Sequence, residues 1–347
     1  MIGAVSVRGE VRKTRWAKGK LWLGMACSAL FLFLVFRNVR WTELAAVLQA
    51  VNWGVLLLAA ALYALSLLIR GLVWRELLAP LGPVTAGDAV AYANIGYMAN
   101  NLLPLRAGEV IRAALLGEKR GFSKGAVLAT VVLERLLDVL ILGASAMLLM
   151  LVMPIPSPLR RSILLAAAVG CLGIIGAWAA AGATNSSRGR LPGWLERRAV
   201  RAAVGLGRSF GRGLSAVRSA KQAGVAGFYS LLAWTLVCAS IYLMMLASQL
   251  RLPWYAALLA MAVVNLGSAI PSSPGSIGVV HFLAVVSVSP WAVDREVAAG
   301  FSIVFHAVPF LVTIGLGGAC LWKEKIGVGR VNGVGLEEAP RAAAAGE

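Results

Sequence analysis

Acidic side chains are scarce in this chain, 15 Asp and Glu against 33 Lys and Arg in 347 residues, and charged residues of both signs make up only 14% of it. With 59% hydrophobic residues and a mean hydropathy of +0.80, it carries more apolar surface than a protein folding in water could hide, so it belongs in a membrane. Histidine is rarer still: His281 and His306 are the only two, no HExxH segment exists, and a zinc centre has no ligand set. The four cysteines, Cys27, Cys171, Cys238 and Cys320, each sit in an apolar run without CxxC spacing, as small buried thiols do and a disulfide framework does not. No metal-binding Asp cluster and no nucleophile with a neighbouring base can be found, which argues against an enzyme and against a cofactor. A formal charge of +18 would by itself suggest nucleic acid. The basic residues, however, lie in the N-terminal arm and in loops between apolar runs, where retention on the cytoplasmic side explains them, and no nucleic-acid partner is expected.

What is present is a series of hydrophobic runs. Residues 1–20 form a basic arm, with Arg8, Arg12, Lys13, Arg15, Lys18 and Lys20 against Glu10. Apolar spans are predicted at 21–36, 53–69, 125–152, 162–181, 225–249 and 297–321. The first is followed by Arg37 and Arg40 rather than by a small-residue cleavage site, so it reads as an anchor and not a signal peptide. Arg70 and Arg75 are taken as the charged end of the second span. Between spans four and five, residues 182–224 hold many arginines against a lone Glu196, which fixes that loop in the cytoplasm; contact with an anionic leaflet is a second use of the same charge. Lys323 and Lys325 return the end of the last span to the cytoplasm, and the Ala/Gly/Glu-rich tail, 322–347, lacks the pattern of a packed core and is expected to be disordered.

Two segments break the pattern. In residues 100–112 two amides, a proline, a glycine, a carboxylate and two guanidiniums interrupt apolar sequence. Pro104 disfavours helix at Leu103, and Gly108 permits a change of direction four residues later. Backbone broken in this way survives at membrane depth only where protein or water satisfies it, so residues 88–117 are predicted to form a re-entrant hairpin. The second break runs from Pro271 through Pro274 and Gly275 to Gly278, within a second predicted hairpin at 254–289. Both breaks place a proline four residues before a glycine, and the loop charges give the two halves, 21–152 and 162–321, opposite orientation. The predicted fold is therefore an all-α polytopic membrane protein, six full spans plus two re-entrant helical hairpins arranged as an inverted repeat, a pattern that points to a transport site near the midplane.

The candidate site residues lie at these breaks. Arg106, Glu109 and Arg112 are too costly in lipid to be incidental, at about 2.5 to 3.5 kcal/mol for a charge at a helix centre. Two arginines on one turn can hold a phosphate, with Glu109 orienting one of them. A bare structural pair, Glu109 with Arg112 or Arg135, is the competing explanation. In the third span Glu134 and Asp138 share a helix face with Arg135 beside them. They could pair with Arg112 and Arg106 or titrate as a proton relay, and both roles stay open. Asn100 and Asn101 stand before the first break as Asn265 stands before the second, where Asn265 reads as a helix-break cap. Around Ser272, Ser273 and Gly275, freed backbone N–H groups and the following helix N-terminus would favour an anion, and His281 is a candidate pH-sensitive donor there.

At Pro104-Leu105-Arg106-Ala107-Gly108-Glu109 with Arg112, at Glu134-Arg135-Leu136-Leu137-Asp138 and at residues 271–278, the chain resembles the flippase-like transmembrane region of lysylphosphatidylglycerol synthases, found also as stand-alone bacterial and archaeal membrane proteins. The later motif of that family usually has glutamate where this chain has His281. The resemblance implies a lipid translocator of the bacterial inner membrane, with both termini cytoplasmic, moving an anionic phospholipid or polyprenyl-phosphate-linked lipid between leaflets. The alternative it leaves is a non-catalytic membrane partner presenting lipid to a lipid- or glycan-modifying enzyme. Synthases of this kind carry a soluble catalytic domain after the membrane region, and the roughly 26 residues that follow the last span here are too few for one.

Overall fold

A computed structural model describes residues 23–103, 107–153, 170–179, 219–267 and 272–327, with 161, 165, 168, 211, 213–215 and 329–331. Every regular element among the described residues is helical. Apolar sequence at membrane depth leaves backbone polar groups no partner but their own helix, which is why the long Leu/Val/Ala runs fold this way. The elements are α1 (Leu23–Phe36), α2 (Trp41–Gln49), α3 (Trp53–Leu78), α4 (Ala86–Leu102), α5 (Gly108–Arg120), α6 (Lys124–Val152), α7 (Gly170–Ala179), α8 (Ala220–Ala247), α9 (Tyr255–Gly267), α10 (Val279–Val288) and α11 (Arg295–Lys323).

Among the described residues five helical segments are long and apolar enough to cross a membrane, or six if α1 and α2, bent by 88°, count as one span. The chain is an all-α polytopic membrane protein. Four of the six predicted spans correspond to α3, α6, α8 and α11. The predicted span at 21–36 is α1, which passes only together with α2, and of 162–181 only the stretch 170–179 is continuous helix within the described residues. Pro274–Trp291, assigned from the sequence to a hairpin arm, is itself long and apolar enough to cross. Most of the predicted loop 182–224 lies outside the described residues, and α8 begins at Ala220, inside it.

One expectation is corrected. The second span does not end at Ile69: α3 continues to Leu78, so Arg70 is an interior residue of the helix and is buried, not a flanking charge. A 26-residue helix at 1.5 Å per residue is about 39 Å long and outlasts the hydrocarbon core.

The described residues divide into two compact units, one drawn from 1–60, 101–105 and 240–311, the other from 61–100, 106–239 and 312–347. In the first unit, Val35, Val39, Leu44 and Ala299 form a buried cluster flanked by Phe36, Leu48, Phe282, Val285 and Ile303. Here α1 crosses the second break at backbone distance: a Cβ on Gly24 would stand 2.6 Å from the Ser272 carbonyl oxygen, and one on Gly278 would run into that of Ser28. In the second unit, Val73, Leu77, Ala129, Leu133, Ala177, Leu214 and Ala226 form the core. The first hairpin closes just as tightly there. A Cβ on Gly108 would collide with the Gly96 carbonyl oxygen, so the arms α4 and α5 touch through glycine backbone. Helix α5 ends at Gly121, whose φ of +69° suits a left-handed cap.

The tail is not shapeless from its first residue. Trp322 and Lys323 complete α11, and Arg330 pairs with Glu118 at 2.7 Å. Beyond residue 331 it lies outside the described residues.

Candidate functional site

In the second unit, five helices bring charged and aromatic side chains to one buried place. α6 supplies Glu134, Arg135 and Asp138, α3 supplies Arg70 and Trp74 one turn apart, α4 Tyr97, α5 Glu109 and Arg112, and α8 Trp234. Asp138 is held by directed donors: Arg70 Nη2 donates to Oδ2 at 2.6 Å, Arg135 Nη1 to the same oxygen at 3.0 Å, and Trp234 Nε1 to Oδ1 at 2.9 Å. Glu134 is held more loosely. The Tyr97 hydroxyl donates to Oε1 at 2.6 Å, and Arg70 Nη2 stands 3.5 Å from that oxygen.

Arg112 is fully buried, and its Nη2 lies 2.8 Å from Glu134 Oε2. That contact is an ion pair by proximity and not an aligned hydrogen bond: among the described residues neither Glu134 Oε2 nor any guanidinium nitrogen of Arg112 has a hydrogen-bond partner. Aromatic faces hold the guanidinium instead. Its Cζ lies 4.7 Å from the Trp74 ring centroid and 5.3 Å from that of Tyr97, and Trp74 is itself anchored by donating Nε1–H to Thr130 Oγ1 at 3.0 Å. Gly96 makes the room, since a Cβ there would stand 2.8 Å from Arg112 Cδ. At the rim, Arg135 Nε is 3.1 Å from Glu109 Oε1. Taken together, Arg70, Arg112 and Arg135 face Glu109, Glu134 and Asp138, three charges of each sign and a formal sum of zero.

The structure thus gathers Glu109, Arg112, Glu134, Arg135 and Asp138, and the structural pairing of Glu109 with Arg135 is present alongside the Arg112 to Glu134 pair. Sequence reasoning missed Arg70, Trp74, Tyr97 and Trp234. For Arg70 a signal existed: an arginine four residues before a tryptophan, in a run with enough apolar residues beyond it to continue the helix. Asn100 sits beside Gly108, and its Oδ1 has no hydrogen-bond partner among the described residues. Pro104, Arg106 and Pro271 lie outside the described residues.

The residues of the second break belong to the first unit and form a separate group. Gly275 and Gly278 adopt φ of +72° and +89°, the first inside the turn that Pro274 opens and the second at the start of α10. The expectation of free N–H groups for an anion is not met at three positions. Ser273 N–H donates to Ser28 Oγ at 2.9 Å, Ser276 N–H to the Ser273 carbonyl at 2.9 Å, and Gly278 N–H to His281 Nδ1 at 3.4 Å. A hydroxyl from α1, a backbone carbonyl and an imidazole have taken these three donors. The Ser272 hydroxyl donates to Ser276 Oγ at 3.2 Å, His306 Nε2 lies 2.8 Å from the Gly275 carbonyl oxygen, and the two imidazole centroids are 4.8 Å apart. Asn101 is part of this unit too, with its carbonyl oxygen 3.6 Å from where a Cβ on Gly275 would lie. Asn265 Nδ2 donates to the Met261 carbonyl at 2.7 Å, a bond back into its own helix.

At the base of the first hairpin, Lys119 Nζ lies 2.9 Å from Asp88 Oδ1, Arg120 contacts Oδ2, and Lys119 also pairs with Glu324, which accepts the Tyr92 hydroxyl at 3.1 Å. Burial works to raise the Asp88 pKa, but the hydrogen bonds from Lys119 and Arg120 prevail and hold it below the ordinary carboxylate value. Among the described residues no group of three His, Cys, Asp or Glu side chains could hold a metal ion, and the four cysteines are free.

Among known proteins, the glycosyltransferase AglD of Haloferax volcanii is 25% identical over 325 residues, an alignment covering 84% of this chain and 52% of the relative. The chain therefore spans about half the length of the curated relative it matches. Residues 21–317 match the family described as the lysylphosphatidylglycerol synthase TM region, and the chain belongs to that family.

Proposed function

We propose that this chain is a non-enzymatic lipid carrier of the bacterial inner membrane, moving an anionic phospholipid or polyprenyl-phosphate-linked lipid between leaflets, with both termini in the cytoplasm. The observation that carries this reading is Arg112: a guanidinium with no exposed surface, in an apolar protein, whose nitrogens have no hydrogen-bond acceptor among the described residues. A buried cation with unused donors has a structural cost that a polar ligand relieves, and a guanidinium fork suits the oxygens of a phosphate. In this reading the hairpin arms α4 and α5 part at the Gly96 to Gly108 contact, Arg112 takes the headgroup, and the acyl chains stay in the bilayer. Two interrupted segments in an inverted repeat would supply the moving parts.

A second reading is favoured by the relative, whose name describes a glycosyltransferase and of which this chain covers 52%. There the same membrane fold would present a lipid to a glycan- or lipid-modifying enzyme without carrying it across. Reconstitution into liposomes with headgroup-labelled lipids separates the two. A carrier accelerates leaflet exchange, and Arg112→Gln and Glu109→Gln in folded protein slow it; a presenting protein binds the labelled lipid but leaves exchange at the rate of empty liposomes.

A further inference from the structure

We propose that capture of an anionic headgroup by Arg112 is coupled to the uptake of one proton by Glu134, so that the lipid crosses with a proton. This rests on the carrier reading above and supplies its energy source. Among the described residues three arginines already balance three carboxylates in the network, so a phosphodiester entering beside Arg112 adds one negative charge to that sum. In a water-poor interior an unbalanced charge is unfavourable enough that an ionisable group neutralises instead.

Which carboxylate gives way follows from the hydrogen bonds. Asp138 accepts three directed bonds, from Arg70, Arg135 and Trp234. Glu109 has a side chain 26% exposed and keeps Arg135 at the rim. Glu134 is buried, accepts one hydrogen bond, from Tyr97, and has on Oε2 only the unaligned approach of Arg112. The charged and titratable groups facing it are Arg70 on α3, Tyr97 on α4, Arg112 on α5, and Arg135 and Asp138 on its own helix; from α8 the cluster receives only the uncharged Trp234.

Arg112 is therefore the cation that changes partner. It turns from Glu134 Oε2 to the phosphate oxygens, and Glu134, left with only the more distant Arg70 at 3.5 Å and Arg135 at 4.0 Å from Oε1, takes a proton on Oε2. The proton comes from bulk water by way of the Glu109 carboxylate, whose side chain is 26% exposed at the rim. When the headgroup leaves, Arg112 returns and the proton is released. Asp138 keeps its three donors throughout as the fixed anchor.

The test uses the full chain in lipid nanodiscs, titrated with dihexanoyl phosphatidylglycerol and, in parallel, with inorganic phosphate. Calorimetry in two buffers of different ionisation enthalpy counts the protons. The expected result is about one proton taken up per lipid bound, with affinity falling about tenfold per pH unit between about pH 6 and pH 8. Glu134→Gln should abolish the uptake and flatten the pH dependence. Tyr97→Phe should keep the uptake but move the fall in affinity to higher pH, because the carboxylate loses the donor that favours its charged form. Should Glu134→Gln fail to fold, the wild-type proton count and the Tyr97→Phe shift carry the test. Uptake with the lipid alone assigns the site to a headgroup, and uptake with phosphate that is lost in Glu134→Gln extends it to the free anion with the coupling intact. Lipid binding without proton uptake overturns the coupling and leaves the carrier reading standing. Failure of both ligands to bind overturns the two together.

Discussion

Asp138 is the group whose removal the structure prices most clearly. Asp138→Ala deletes an acceptor that is 5% exposed and takes hydrogen bonds from Arg70 at 2.6 Å, Arg135 at 3.0 Å and Trp234 at 2.9 Å. Breaking a buried ion pair by removing one partner destabilises by about 3 to 5 kcal/mol, because the other charge is left buried. Here both arginines keep a second carboxylate: Arg70 has Glu134 at 3.5 Å and Arg135 has Glu109 at 3.1 Å. That places the ionic loss at the lower end, about 3 kcal/mol. The orphaned indole N–H of Trp234 adds about 1 kcal/mol. Deleting Arg70 as well restores balance, since Arg112 and Arg135 then face Glu109 and Glu134. The double variant Arg70→Met with Asp138→Ala should therefore be less destabilised than the sum of the singles by about 2 kcal/mol. Reversible unfolding of all four proteins in mixed micelles measures the cycle. Additivity within about 0.5 kcal/mol would refute the account of Asp138 as the charge anchor.

Gly108→Ala should destabilise by about 1 to 3 kcal/mol and, in liposomes, change lipid exchange, because its Cβ meets the Gly96 carbonyl and backbone cannot yield as a flexible side chain can; an unchanged melting curve would contradict the hairpin contact. Ser28→Ala removes the acceptor of the Ser273 N–H and should cost about 1 kcal/mol, seen as faster amide exchange at Ser273. Asp88 has a folded pKa below its unfolded one, so it contributes stability that is fully present above the unfolded value, about 3.9, and is lost as pH falls through the depressed one. The stability gap between wild type and Asp88→Asn should accordingly be flat above about pH 5 and close on further acidification, and a gap that persists in acid would show the pairs with Lys119 and Arg120 to be idle.

Length and hydropathy made the membrane class and four of the long helices legible, because a run of apolar residues has one physical solution in lipid whatever surrounds it. The first break was legible for a related reason: Gly108 acts on its own backbone and does open α5. The partner of Glu109 was within reach as well, since Arg135 was among the candidate pairs. Arg70 was not read, because hydropathy ends a span at the first charge while a real helix continues as long as its charge finds a carboxylate. At the second break the Ser273 N–H that the sequence left free is taken by Ser28, 245 residues away, whereas the Gly278 N–H turns to His281 only three residues on.

By itself the sequence determined that the chain is helical, membrane-embedded and interrupted at two places, since these follow from interactions within a few residues of each other. Only the tertiary structure decided which charges meet. Asp138 is a fixed anchor and Glu134 a loosely held partner of Arg112 because α3, α4, α5 and α8 deliver different donors to the two ends of one turn of α6, and such delivery depends on packing between helices distant in the chain.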